Sequence, residues 1–163
     1  MTGKSVDLQI TIDADGWPQE ARLRDIVSRA VRGVFDKVGA KSSSACELSL
    51  LFTDDKAIRR INQKWRGIDK PTNVLSFPAE PSVNPNALPA VLGDIVFGLE
   101  TISCEAEVEN KRFEHHLSHL VVHGLLHIFG YDHEQETDAE AMEAMERQIL
   151  QTLAIPDPYN AID

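Results

Sequence analysis

The chain has 163 residues, 42% of them hydrophobic, and a formal net charge of −10. That length suits one domain, spanning 1–163, with a sizeable core. No apolar run is long enough to span a bilayer, and the net charge argues against a protein that coats nucleic acid non-specifically. The N-terminus lacks the basic and apolar regions of a signal peptide, so a cytoplasmic location is expected.

Val6, Leu8, Ile10 and Ile12 alternate with polar residues, the period of a half-buried strand. A turn follows over 13–17, and Pro18 suits the first turn of a helix. Leu23, Ile26, Val27, Ala30, Val31, Val34, Phe35 and Val38 recur at helical spacing until Gly39. Cys46, Leu48, Leu50 and Phe52 alternate again as a second strand. Asp54 can cap a helix carrying Ala57, Ile58, Ile61 and Trp65, which Gly67 closes. Cys46 and Cys104 form no metal-ligand pair such as C-x-x-C and read as small reduced core residues.

Residues 70–78 hold a short strand at their centre, and Pro78, Pro81, Pro85 and Pro89 mark a loop that can serve as a rim or lid. Residues 91–97 give a fourth strand, and a glutamate-rich helix spans Ile102 to Val108. A further helix runs from about Phe113 to Phe129. Thr137-Asp-Ala-Glu140 reads as a capping box, opening a last helix with Met142, Met145, Ile149 and Leu153 as its buried stripe. The expected architecture is α+β: one domain with a mixed sheet of about four strands and about five helices, the first two strands parallel neighbours and the helices mostly on one face.

Charge is unevenly spread. Residues 134–147 hold six acidic side chains against Arg147, a local balance of −5, and residues 59–70 hold Arg59, Arg60, Lys64, Arg66 and Lys70 against Asp69, a balance of +4. The basic segment can bind an anion locally or form an ordinary solvated helix face.

The chemistry concentrates in His123-Gly-Leu-Leu-His127-Ile-Phe-Gly130-Tyr-Asp-His133. Histidines four apart on a helix share one face, so both imidazoles can converge on one ion. Gly130 can take the left-handed conformation that ends the helix and swings His133 back to the same point. Three neutral imidazoles with an open fourth position describe a catalytic zinc site; nickel, cobalt and copper suit the same ligands. The spacing also matches the metzincin protease pattern H-E-x-x-H-x-x-G-x-x-H, except that Gly124 stands where those proteases carry their general-base Glu. A glycine there leaves room for a substrate or backbone near the metal, or for tight packing against a neighbouring helix.

Six histidines occur, and His119, His123 and His127 are spaced i, i+4, i+8. Eight residues of helix rise about 12 Å, too far for all three to reach one ion at about 2.0–2.1 Å. His119 therefore holds a ligand from behind, faces substrate or is simply buried, and His115 and His116 are expected at the helix surface. Asp132 can bond the turn backbone, the favoured role, orient a ligand imidazole from behind or act as a base.

These residues resemble the YbeY family of bacterial endoribonucleases, the rRNA maturation factors. The similarity is carried by His123 to His133, by Trp65-Arg-Gly-Ile-Asp-Lys-Pro-Thr-Asn-Val-Leu-Ser-Phe-Pro78, by Leu92-Gly-Asp-Ile95 and by Asp157-Pro-Tyr159. The resemblance implies a zinc-hydrolase-like fold and a single-strand-specific, metal-dependent endoribonuclease acting in 16S rRNA maturation and ribosome quality control. It implies His123, His127 and His133 as ligands of one Zn2+ per chain and Arg66 as the functional arginine, stabilising the phosphate. Implied partners are single-stranded RNA, the 16S rRNA precursor, a small-subunit ribosomal protein and a ribosome-associated GTPase, with no DNA and no membrane. The competing readings are a metzincin-like metalloprotease and a non-catalytic ribosome-assembly factor whose metal is structural.

Overall fold

The computed structural model describes residues 6–41, 46–81, 83–132 and 135–159. Among them the chain forms β1 (Asp7–Ile12), α1 (Glu20–Val38), β2 (Glu47–Thr53), α2 (Asp55–Arg66), β3 (Val74–Pro78), β4 (Val91–Gly98), α3 (Leu99–Val108), α4 (Phe113–Ile128) and α5 (Glu136–Thr152). The α+β architecture is as expected from the periodicities. In α1 the apolar positions from Leu23 to Phe35 are buried, and Gly39 ends it at φ 76°. In α2 the Asp54 carboxylate accepts the Ala57 N–H at 2.8 Å, and Gly67 closes the helix at φ 71°.

Two helix starts differ from expectation. Pro18 lies before α1, which begins at Glu20 behind an extended Gln19. The entry is set instead by Trp17, whose Nε1–H donates to the Thr53 carbonyl at 3.0 Å while its ring packs edge-on against Phe52. Thr137 is not the cap of α5: it lies inside the first turn, behind Gln135, which makes no side-chain capping bond. Glu136 and Asp138 supply favourable charge at that end.

The sheet has the order β1-β2-β4-β3. β1 and β4 run parallel to β2, and β3 pairs antiparallel with β4 at the edge. Alternation along β2 turns Leu48, Leu50 and Phe52, and β4, across a register shift at Leu92, turns Leu92, Ile95 and Phe97, into one main core shared with α1, α4 and α5. Phe52 and Phe97 stack there with ring centroids 4.9 Å apart. On the opposite face α2 packs over β3 and β4, where Ile58 meets Leu75 and Val96. Cys46 is buried as expected, whereas Cys104 is exposed, on the solvent side of α3. No helix among the described residues is long and apolar enough to cross a membrane.

Helix α4 lies under the sheet and is buried on nearly every side, from Leu117 to Ile128. Gly124 makes this approach possible. A Cβ there would stand 2.9 Å from Ser76 Oγ and 3.1 Å from Ile95 Cγ2, and Ser76 Oγ–H donates to the Gly124 carbonyl at 3.0 Å. The close neighbour is therefore the sheet, through β3 and β4, rather than a helix or a substrate. Gly124→Leu would gain about 1 kcal/mol of helix propensity but overpack the contact at a cost of about 1–3 kcal/mol. The clash already begins at the first carbon, so the cost wins. Thermal unfolding followed by circular dichroism should show a lower Tm, at about 2–4 °C per kcal/mol for a chain of this size.

Candidate metal centre

Helix α4 carries its histidines on successive turns. His123 Nε2 and His127 Nε2 are 3.0 Å apart, with ring centroids 4.5 Å apart. Two nitrogens bound to one tetrahedral zinc at about 2.0–2.1 Å stand roughly 3.3 Å from each other, so the pair is spaced to share an ion. The helix then stops as its glycine requires. Gly130 has φ 99°, its N–H donates to the His127 carbonyl at 2.9 Å, and the Tyr131 N–H donates to the Leu126 carbonyl at 3.1 Å. Asp132 is exposed just beyond this turn. His133, the expected third ligand, lies outside the described residues.

The other edge of the His123 ring meets a residue that the sequence hides among acidic neighbours. Glu146, on α5, has 0% exposure. His123 Nδ1 lies 2.8 Å from its Oε2 and His119 Nε2 lies 2.6 Å from its Oε1. The Tyr159 hydroxyl donates to the same Oε1. Burial would push this carboxyl up, but the hydrogen bonds from His119 and His123 and the charge of both imidazoles bring it down to about 2, so Glu146 is a carboxylate. Burial and the bond to Glu146 hold the Tyr159 hydroxyl well above the ordinary phenol range, so it remains a donor. The signal for Glu146 was available: it sits four residues after Met142 and three before Ile149, on the stripe that becomes the buried face. A buried acid at such a position requires partners.

His119, His123 and Glu146 also form a donor set able to hold a metal ion, their ligand atoms all within 4.8 Å of one another. His119 thus lies on the Glu146 side of His123. His116 is a correction: it is not at the helix surface but 5% exposed. Burial lowers its pKa despite the Glu105 carboxylate, so the ring is neutral and its Nε2–H donates to Glu105 Oε1 at 2.8 Å. Glu105 in turn accepts from Asn73 Nδ2 at 3.0 Å, which ties α3 and α4 to the approach of β3.

Arg66 is the last residue of α2, exposed beside Gly67. It lines a cavity of about 510 Å³ together with Trp65, Asn73, Ser76, His123 and His127. The fold therefore brings the basic end of α2 and the histidine pair of α4 to one opening, although 57 residues separate Arg66 from His123 along the chain. Arg66 makes no ion pair with any described residue, whereas nearby Arg59 is held by Asp69 at 2.7 Å.

Fold and site together define an α+β protein with a histidine–carboxylate centre, able to hold a metal ion, at the wall of an open cleft. The chain belongs to the family described as Endoribonuclease YbeY, whose model matches residues 10–154. It is 51% identical over 156 residues to an "Endoribonuclease YbeY" of Rhodopseudomonas palustris, covering 95% of this chain and 82% of that one. A Chelativorans protein of the same description is 54% identical over 143 residues, covering 88% of this chain and 86% of its own. The solution structure of TM1509 from Thermotoga maritima shares the fold, with a TM-score of 0.56 and 22% identity over 94% of this chain and 99% of its own.

Proposed function

We propose that this chain is a metal-dependent endoribonuclease that cleaves single-stranded RNA and acts in 16S rRNA maturation and ribosome quality control. The observation that carries the proposal is the convergence of His123 and His127, Nε2 to Nε2 3.0 Å, on a cleft that Arg66 also lines. Family membership supports RNA as the substrate, since the relatives bear the name endoribonuclease. The donor set fits zinc: borderline-soft imidazole nitrogens at the right separation, with Glu146 fixing one ring from behind.

His123, His127 and His133 are the proposed ligands of one Zn2+. A bound zinc supplies Lewis acidity toward water and toward a phosphoryl oxygen. Glu146 accepts the Nδ1–H of His123, which leaves the lone pair of Nε2 directed at the cleft. Arg66 offers a planar, two-point cation to the phosphate as negative charge develops on it. Gly124 cannot act as the base that a glutamate provides in the zinc proteases, so proton transfer falls to the RNA itself, through its 2′-hydroxyl or a phosphate oxygen, or to water. The 16S precursor, a small-subunit ribosomal protein and a ribosome-associated GTPase are the proposed partners.

Metal analysis of protein purified without added metal, paired with cleavage of a single-stranded RNA, tests the proposal. About one ion per chain, loss of cleavage with chelator and recovery with zinc are expected. Undiminished cleavage by metal-free protein would remove the metal from the reaction. Hydrolysis of unfolded protein with no action on RNA would move the chain to the protease class.

A further inference from the structure

The described chain ends in a short tail that reaches back to the centre. Lys111 Nζ donates to the Pro158 carbonyl at 3.1 Å. Arg147 Nε bonds Asp157 at 3.3 Å, and the Asp157 Oδ1 accepts the Tyr159 N–H at 2.8 Å. The Arg147 guanidinium carbon stands 5.2 Å from the centroid of the Tyr159 ring. These contacts from α3–α4 and α5 set the Tyr159 backbone and ring, and the ring aims its hydroxyl inward at Glu146 Oε1.

A carboxylate that accepts only from His119 and His123 can still rock about its last torsion, which is broad. A third donor changes this. Oε1 then accepts from both His119 Nε2 and Tyr159 Oη, themselves 3.3 Å apart. Three donors restrain that rocking more than two do, and Oε2 stays toward His123 Nδ1. We propose that Tyr159 is a positioning residue that acts through Glu146 to hold His123 in the Nδ1–H tautomer with Nε2 directed at the cleft, so that the tail completes the metal site. The proposal rests on the metal assignment above for its consequence, but not for its geometry. Tyr159 is 37% exposed and contributes little to the core, so a packing role alone would leave the imidazole unaffected.

The test compares wild type with Tyr159→Phe, which keeps the ring over Arg147 and removes only the hydroxyl. Long-range 15N–1H correlation spectra of the metal-free protein read the His123 tautomer directly, and competition with a chromophoric chelator reads zinc affinity. The expected result is a measurable share of the Nε2–H tautomer and zinc affinity several-fold weaker, less than the roughly 10–100-fold loss typical of removing an immediate outer partner, with Arg66→Ala unchanged in both readouts. Unchanged tautomer and affinity in Tyr159→Phe, even with a lower Tm, would overturn the proposal. If Tyr159→Phe fails to fold, Lys111→Met, which releases Pro158, should shift the tautomer in the same direction, and an unchanged tautomer there also overturns it. Wild-type protein that binds no zinc would sink the metal assignment, while the tautomer spectra would still decide whether Tyr159 positions His123.

Discussion

His123→Ala should lose zinc and RNA cleavage together, with metal affinity reduced beyond the roughly 10–100-fold expected for an outer partner and cleavage at background. The imidazole is the hinge of the site: one nitrogen faces His127 at 3.0 Å and the other faces Glu146 at 2.8 Å. Full metal occupancy in the variant, measured on protein purified without added metal, would refute the assignment. Two companion variants locate the ion. If it sits in the cleft, His127→Ala strips it and His119→Ala does so less. If it sits on the interior side, among His119, His123 and Glu146, the order reverses. The cleft is favoured because His123 and His127 line it together with the cationic Arg66.

Arg66→Ala should reduce cleavage by about 10²–10³-fold, the scale of removing one preorganised group that meets transition-state charge, while leaving about one zinc per chain. Both effects follow from where the residue stands. Arg66 is at the wall of the cavity that His123 and His127 share, yet it is exposed and carries no part of the core. Kinetics on a single-stranded RNA, with metal content and Tm measured on the same preparation, separate a chemical role from a structural one. Undiminished cleavage would remove Arg66 from the mechanism. Arg66→Lys should recover only part of the activity, because an ammonium keeps the charge but loses the two-point planar contact.

Much of the molecule was legible in the chain. The α2 cap at Asp54, the stops at Gly39, Gly67 and Gly130, and the alternation of β2 follow from local rules, because a cap, a left-handed glycine and a two-residue period act within a few residues of themselves. The capping box at Thr137 does not set the start of α5, because the helix begins two residues earlier, behind Gln135 and with acids in its first turn. His116 and Cys104 were misplaced because α4 is wrapped by neighbours on most sides while α3 is not, and periodicity in one helix does not say how many elements will cover it.

The histidine pair and its helix-ending glycine were determined by sequence alone, since four residues of helix place two rings on one face whatever surrounds them. Tertiary structure decided what faces each edge of those rings. Glu146 reads as one of several acids until α5 docks against α4, and only that docking turns it into a buried carboxylate with three donors. The same holds for Tyr159, which reaches Glu146 from the tail, and for Arg66, which the end of α2 brings to the wall of the cleft. Contacts between elements far apart in the chain depend on packing, and packing leaves no period in the sequence for a local rule to find.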